Sequence, residues 1–297
     1  MNEQVTLERP RAAKAQSDQS MLKSILLHVQ DDASLEDRLE VALSLARTAG
    51  AHLSCLHVTP IQAYVAFDSF GGVFVMKDVM EALDEQEANL RARVEKDLAA
   101  EDVTWDYEQV TGDVVGQIVG KAALADLVVF GREPHRHDFP GPAMGTIGDL
   151  LQRSQVPLFI PGDEKSPVDV TGTALIAWDG SFEAANAVRS SLGLLKLAKD
   201  VAIIHVAEGK EQEFPGTKLL EYLSRHGVHA DMIVQDPPAG DRDPKVIAAS
   251  LVAYARGIGA AYLVMGGYSH NRVREVVFGG VTRSLLKECP IPLVIAH

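Results

Sequence analysis

Cysteine is scarce in this chain. Among 297 residues only Cys55 and Cys289 occur, far apart and with no C-x-x-C spacing, so a disulfide framework and a cysteine-based metal site are both excluded. The two thiols read as reduced, buried small hydrophobes. No run approaches about 18 uninterrupted apolar residues, which argues against a membrane-spanning helix. The first twenty residues, MNEQVTLERPRAAKAQSDQS, lack an apolar core of signal-peptide length. A flexible polar lead over residues 1–20 and a cytoplasmic location are expected. Positive charge is also in deficit: the formal net charge is −13, which disfavours nucleic acid or an anionic membrane as partner.

Several catalytic signatures are missing. Gly120-Lys121 has no glycine five positions before it and is followed by Ala122, so no P-loop is present. No G-x-G-x-x-G follows a strand and no G-x-S-x-G elbow occurs, which removes a dinucleotide-binding dehydrogenase and an α/β-hydrolase. The run His135-Arg136-His137-Asp138 reads as a solvated loop, because adjacent residues rarely converge on one ion. His28 and His57 read as strand-end or core histidines. No catalytic residue and no metal ligand is assigned.

What is present is a repeat. Leu127-Val128-Val129-Phe130-Gly131 matches Tyr262-Leu263-Val264-Met265-Gly266, Gly145 matches Gly280, Leu150-Leu151 match Leu285-Leu286, and Val156-Pro157-Leu158 matches Ile291-Pro292-Leu293, all at one offset of 135. The first copy is expected to run strand (24–29), helix (35–49), strand (52–58), helix (77–100), strand (105–110), helix (114–125), strand (127–130), helix and strand (157–160). The second is expected as strand (174–178), helix (183–197), strand (201–206), helix (219–225), strand (230–234), helix (244–256), strand (262–265), helix (281–288) and a closing strand. Alternating strands and helices imply parallel pairing with right-handed crossovers. The stretch 161–167 has linker composition, and the domains are expected at 21–163 and 171–297, with 164–170 between them. Residues 61–79, apolar but without period, are expected to form a flap over the first pocket, a lid over their own core, or an interaction surface.

The last unit, 261–297, carries the chemistry. A buried strand ends in Gly266-Gly267, a polar loop follows, and Gly279-Gly280 opens a helix. Glycines before a helix N-terminus leave N–H groups unobstructed where the helix carries partial positive charge, so the arrangement suits a phosphate. A pair of glycines making only a tight turn is the plainer alternative. In open parallel sheets the ligand sits where the winding reverses, here between strands 1 and 4 of each copy.

These residues resemble the universal stress proteins, whose nucleotide-binding members carry G-x-x-G, nine residues, then G-[S/T]. Here Gly266 is the first glycine, Ser269 stands for the second, nine residues follow, and Gly279-Gly280 close the motif, with Thr282 the nearest hydroxyl. The resemblance implies two tandem Rossmann-like domains of the adenine nucleotide alpha hydrolase type, each an open five-stranded parallel sheet of order 3-2-1-4-5. It also implies a cytoplasmic stress-response protein that binds an adenine nucleotide of ATP or AMP type, with or without Mg, and hydrolyses it slowly or not at all. The expected site residues are Ala177, Trp178, Asp179, Val206, Met265, Gly266, Ser269, Gly279, Gly280, Val281 and Thr282. By the resemblance, Asp179 meets the adenosine part and Val206 the base; a helix cap is the plainer role for Asp179, and Trp178 is bulky enough to crowd or stack on a base. In the first copy Pro134 and Met144 replace motif glycines and Gly145-Thr146 falls one step late, so that pocket is expected to be degenerate or to hold a different ligand. The copies are expected to pack as an intrachain pseudo-dimer, with a further homodimer left open. A non-nucleotide scaffold with vestigial pockets is the rival, and an electron-transfer-flavoprotein-like subunit a third reading.

Overall fold

The computed structural model describes residues 21–60, 66–67, 73–74, 77–132, 142–163, 168–206, 214–235, 243–267 and 279–297, and for 66–67, 73–74, 77–79, 142–144 and 206 the backbone alone. The first half runs β1 (Ser24–Val29), α1 (Leu35–Ala49), β2 (His52–Pro60), the two-residue strands β3 (Ala66–Phe67) and β4 (Val73–Phe74), α2 (Lys77–Ala99), β5 (Trp105–Gly112), α3 (Val114–Ala122), β6 (Leu127–Val129), α4 (Pro142–Arg153) and β7 (Leu158–Ile160). The second runs β8 (Thr173–Ala177), α5 (Phe182–Ser190), α6 (Leu192–Leu195), β9 (Asp200–Val206), α7 (Gly216–Arg225), β10 (Ala230–Gln235), α8 (Pro244–Gly257), β11 (Ala260–Gly266), α9 (Gly280–Lys287) and β12 (Leu293–Ala296).

The inner strands are buried on both faces, and their residues are accordingly mostly Val, Leu and Ile. Ten strands form one sheet, in the order β10-β9-β8-β11-β12-β7-β6-β1-β2-β5. Each half contributes five parallel strands in the order 3-2-1-4-5, the α/β architecture that the repeat and the family resemblance implied. The halves meet where β12 pairs antiparallel with β7, Phe159 opposite Val294. Since 159 and 294 differ by the repeat offset of 135, the seam pairs equivalent positions with each other, as a two-fold axis through that residue pair requires. At the edge of the seam Gly162 allows close backbone approach, since a Cβ there would lie 2.2 Å from the Pro290 carbonyl oxygen.

Two apolar layers cover the sheet. One holds α1, α2, α5, α6 and α7 against Leu27, Leu53, Phe159, Ile176 and Val264. The other holds α3, α4, α8 and α9 against Val128, Leu158, Leu175, Leu263 and Ile295. Both layers run continuously across the two halves. The helix expected over 183–197 is divided at Ser191 into α5 and α6. The segment 61–79 lies largely outside the described residues, apart from the antiparallel pairing of β3 with β4 and the start of α2. Among the described residues no helix is long and apolar enough to cross a membrane.

Candidate functional site

The winding reverses between β8 and β11 in the second half, where Ile176 pairs with Val264, so a crevice opens beyond the strand ends there. β8 stops at Ala177 and the chain enters α5 within four residues. Asp179 Oδ1 accepts from the Ser181 amide at 3.0 Å and its hydroxyl at 2.6 Å, a side-chain-mimicked turn. Ser181 then caps α5, accepting from the Ala184 amide at 3.1 Å. Asp179 is exposed and supports the helix entrance through Ser181 without being its cap.

Gly266, at the end of β11, has a packing reason to be glycine. A Cβ there would lie 2.6 Å from the Ala184 nitrogen, so its absence brings the first turn of α5 against the end of β11. Gly280 likewise has a partner: a Cβ would lie 2.5 Å from the Pro244 Cβ. Pro244 is the first residue of α8 and Gly280 the first of α9, so two helix N-termini abut beside the crevice. The α8 entrance is capped by Asp243, whose Oδ1 accepts from the Lys245 amide at 2.8 Å, whereas α9 has no side-chain cap, so its first amides keep partial positive charge without an intrahelical partner. The Gly-for-Ser/Thr departure at position 280 is thus a consequence of Pro244 occupying the adjacent space.

Gly279 precedes α9 and provides no side-chain cap. Val281 is half-buried, whereas Thr282, the substitute hydroxyl, is only 6% exposed. Met265 is buried in the α8–α9 layer, against which Ala177 packs. Trp178 is 4% exposed. Its Nε1 donates to the Phe214 carbonyl at 3.2 Å, and a Cβ on Gly216 would stand 3.9 Å from its ring. The indole is core between β8 and α7. Val206 ends β9, but its side chain lies outside the described residues, as does Ser269 with its loop.

The first half closes the equivalent crevice with its own side chains. Arg38, on α1, is 1% exposed, and its Nη1 bonds Asp32 Oδ1 at 2.8 Å and the Ser34 hydroxyl at 2.7 Å, while Nη2 donates to the Gln30 carbonyl at 2.9 Å. A Cβ on Gly131 would fall 2.1 Å from that Nη1, so the guanidinium fills the space beside the end of β6. His28 is buried and stacked on Phe130, centroids 4.9 Å apart. Burial first, then the positive charge of Arg38 and His57, pushes its pKa from 6.5 down to about 3, with Asp32 opposing. Along the ends of β2 and β5, Glu87 descends from α2 to accept from Thr59 and Gln109, with His57 Nε2 at 3.6 Å. α4 begins at Pro142, so Gly145-Thr146 lies inside the helix and not at its entrance. Residues 133–141 lie outside the described ones.

A feature common to both halves was not foreseen from the sequence. His57 Nδ1 lies 3.0 Å from the Val29 carbonyl, and His205 Nδ1 lies 2.8 Å from the Trp178 carbonyl. In each half an imidazole on the second strand ties down the end of the first. Arg38 was also missed, although it occupies an apolar position of α1, between Leu35, Leu39 and Ala42, which is the signal that a buried cation leaves.

Fold and site define a doubly wound α/β protein with a switch point in each half, Arg38 standing beside the strand end in the first and the start of α5 in the second. Residues 21–160, the half in which Arg38 stands beside the strand end, match the model of the Universal stress protein family. The whole fold is similar to a universal stress protein from Archaeoglobus fulgidus, at 17% identity and TM-score 0.71, covering 93% of this chain and 96% of the other. It is also similar to a putative universal stress protein from Pseudomonas aeruginosa, at 16% identity and TM-score 0.51, covering 93% and 94%. No curated protein matches the chain.

Proposed function

We propose that the second half, residues 171–297, binds an adenine nucleotide of ATP or AMP type in the crevice between β8 and β11, and that the protein is a cytoplasmic stress-response factor. The observation that carries this reading is the abutment of α8 and α9 at Pro244 and Gly280, two helix entrances beside the Gly266 strand end. The uncapped amides of α9 suit phosphate oxygens, and the exposed Asp179 at the end of β8 suits a ribose hydroxyl. Met265, Val206, Val281 and Ala177 supply apolar surroundings, and Ser269 and Thr282 belong to the same motif. Mg accompanies the phosphates if the ligand is ATP. Hydrolysis is slow or absent, because no lysine of a P-loop and no water-positioning base is assigned.

The domains are proposed at 21–163 and 171–297, joined by 164–170 and packed as an intrachain pseudo-dimer through the β7–β12 seam. Mass spectrometry of the ligand released from purified, denatured protein is the test. Near-stoichiometric adenine nucleotide supports the reading, and none after soaking in ATP rejects it. A scaffold role is favoured for the first half alone, where Arg38 takes the place a ligand would occupy.

A further inference from the structure

Away from both crevices, a groove of about 790 Å³ is lined by residues of both halves, a volume within the usual range for small-molecule sites. Lys23 precedes β1 and Arg47 stands in the last turn of α1. Lys196 and Lys199 lie between α6 and β9, and His226 and His229 flank the turn between α7 and β10. Among the described residues no aspartate or glutamate lines it, although acidic residues outnumber basic ones by 41 to 28 in the chain. Arg47 is partly balanced from outside by Glu101, and Lys196 Nζ has the Met21 sulfur at 3.8 Å. Lys199 has Asp169 as a charged neighbour outside the groove, and Lys23, Lys196 and Lys199 supply the remaining positive charge. Leu197, Val201 and Val228 supply apolar wall, and a concave surface of one sign with low-dielectric walls focuses its field on an entering anion.

We propose that this groove binds a small molecule carrying two or more phosphate groups. One phosphate would find one or two cations on any surface; the spread of Lys23, Arg47, Lys196 and Lys199 around a single groove suits several linked phosphates. A long polyanion is disfavoured, since the molecule beyond the groove carries net negative charge. Because each half supplies part of the lining, the groove exists only in the joined chain.

Titration of the full chain with inorganic tripolyphosphate at low ionic strength, followed by calorimetry, tests the assignment. Saturable binding is expected that weakens about tenfold or more in Lys196→Glu/Lys199→Glu and stays unchanged in Lys218→Glu, a surface lysine outside the groove. ATP binding at the β8–β11 crevice should be untouched by the double variant, so failure of one site does not imply failure of the other. Absence of saturable binding overturns the proposal. So does equal affinity in the folded double variant.

Discussion

Arg38 and Gly131 share one space: the guanidinium Nη1 stands 2.1 Å from where a Cβ on Gly131 would be. Arg38 cannot easily withdraw, because Asp32, Ser34 and the Gln30 carbonyl hold it. The space beside the first half's strand end is filled by a guanidinium held through hydrogen bonds and an ion pair, against a position that only glycine fits.

Gly131→Ala should therefore destabilise the protein by about 1–3 kcal/mol, as overpacking of a tight site does. Gly145→Ala, in open space within α4, should be neutral or stabilising by about 0.5–1 kcal/mol. Urea unfolding of both variants checks the contrast. Equal effects would mean that Arg38 relaxes freely.

Restoring the family residue at position 280 should not help by itself. Gly280→Ser brings a Cβ against Pro244 and should cost about 1–3 kcal/mol; Gly280→Asp meets the same obstacle, so an acid there would disturb the helix entrance as well as repel phosphate. In Pro244→Gly/Gly280→Ser the obstruction is gone, and the pair should couple favourably by about 0.5–3 kcal/mol in a double-mutant cycle. Additive single effects would refute the contact.

His28 makes stability fall on acidification. Its pKa is depressed to about 3 in the folded protein from an ordinary 6.5, so the unfolded chain binds the extra proton between those values. Stability is then fully present above pH 6.5 and is lost as pH falls towards 3, by up to about 5 kcal/mol. His28→Phe, which keeps the stacking on Phe130, should remove this part of the pH dependence. Parallel stability curves for the two proteins from pH 7 to 4 would sink the assignment.

Both thiols should be silent in the folded protein. Burial, and then Asp106, pushes the Cys55 thiol up to about 12, and burial raises Cys289; neither is a thiolate near neutrality. Reaction with a thiol reagent should proceed only at the rate of unfolding, measured in parallel by fluorescence. Rapid labelling of one thiol would place it at an opening segment.

The alternation of strands and helices was legible because it rests on local rules, whereas the order 3-2-1-4-5 came with the family resemblance. Apolar runs such as 262–265 admit few placements, and right-handed crossovers constrain the order further. The joining of the two sheets through β7 and β12 was not legible, since only an intrachain pseudo-dimer was expected. Long-range occupancy was not legible. Whether the space beside Gly131 holds a ligand or Arg38 depends on a side chain 93 positions away in the sequence, and Pro244 against Gly280 is a contact between different helices. Trp178 read as a candidate stacking surface because strand-end position says nothing about which layer a side chain enters.

The seam at Phe159 and Val294 has a consequence for how the two crevices could diverge. In a dimer of separate chains, every substitution appears twice, and pairing weakens on dilution. Here the partner strand is tethered, so its effective concentration is set by chain length and not by expression level. One half is then free to place Arg38 beside its strand-end glycine while the other sets the start of α5 against its own, with no loss of pairing between them.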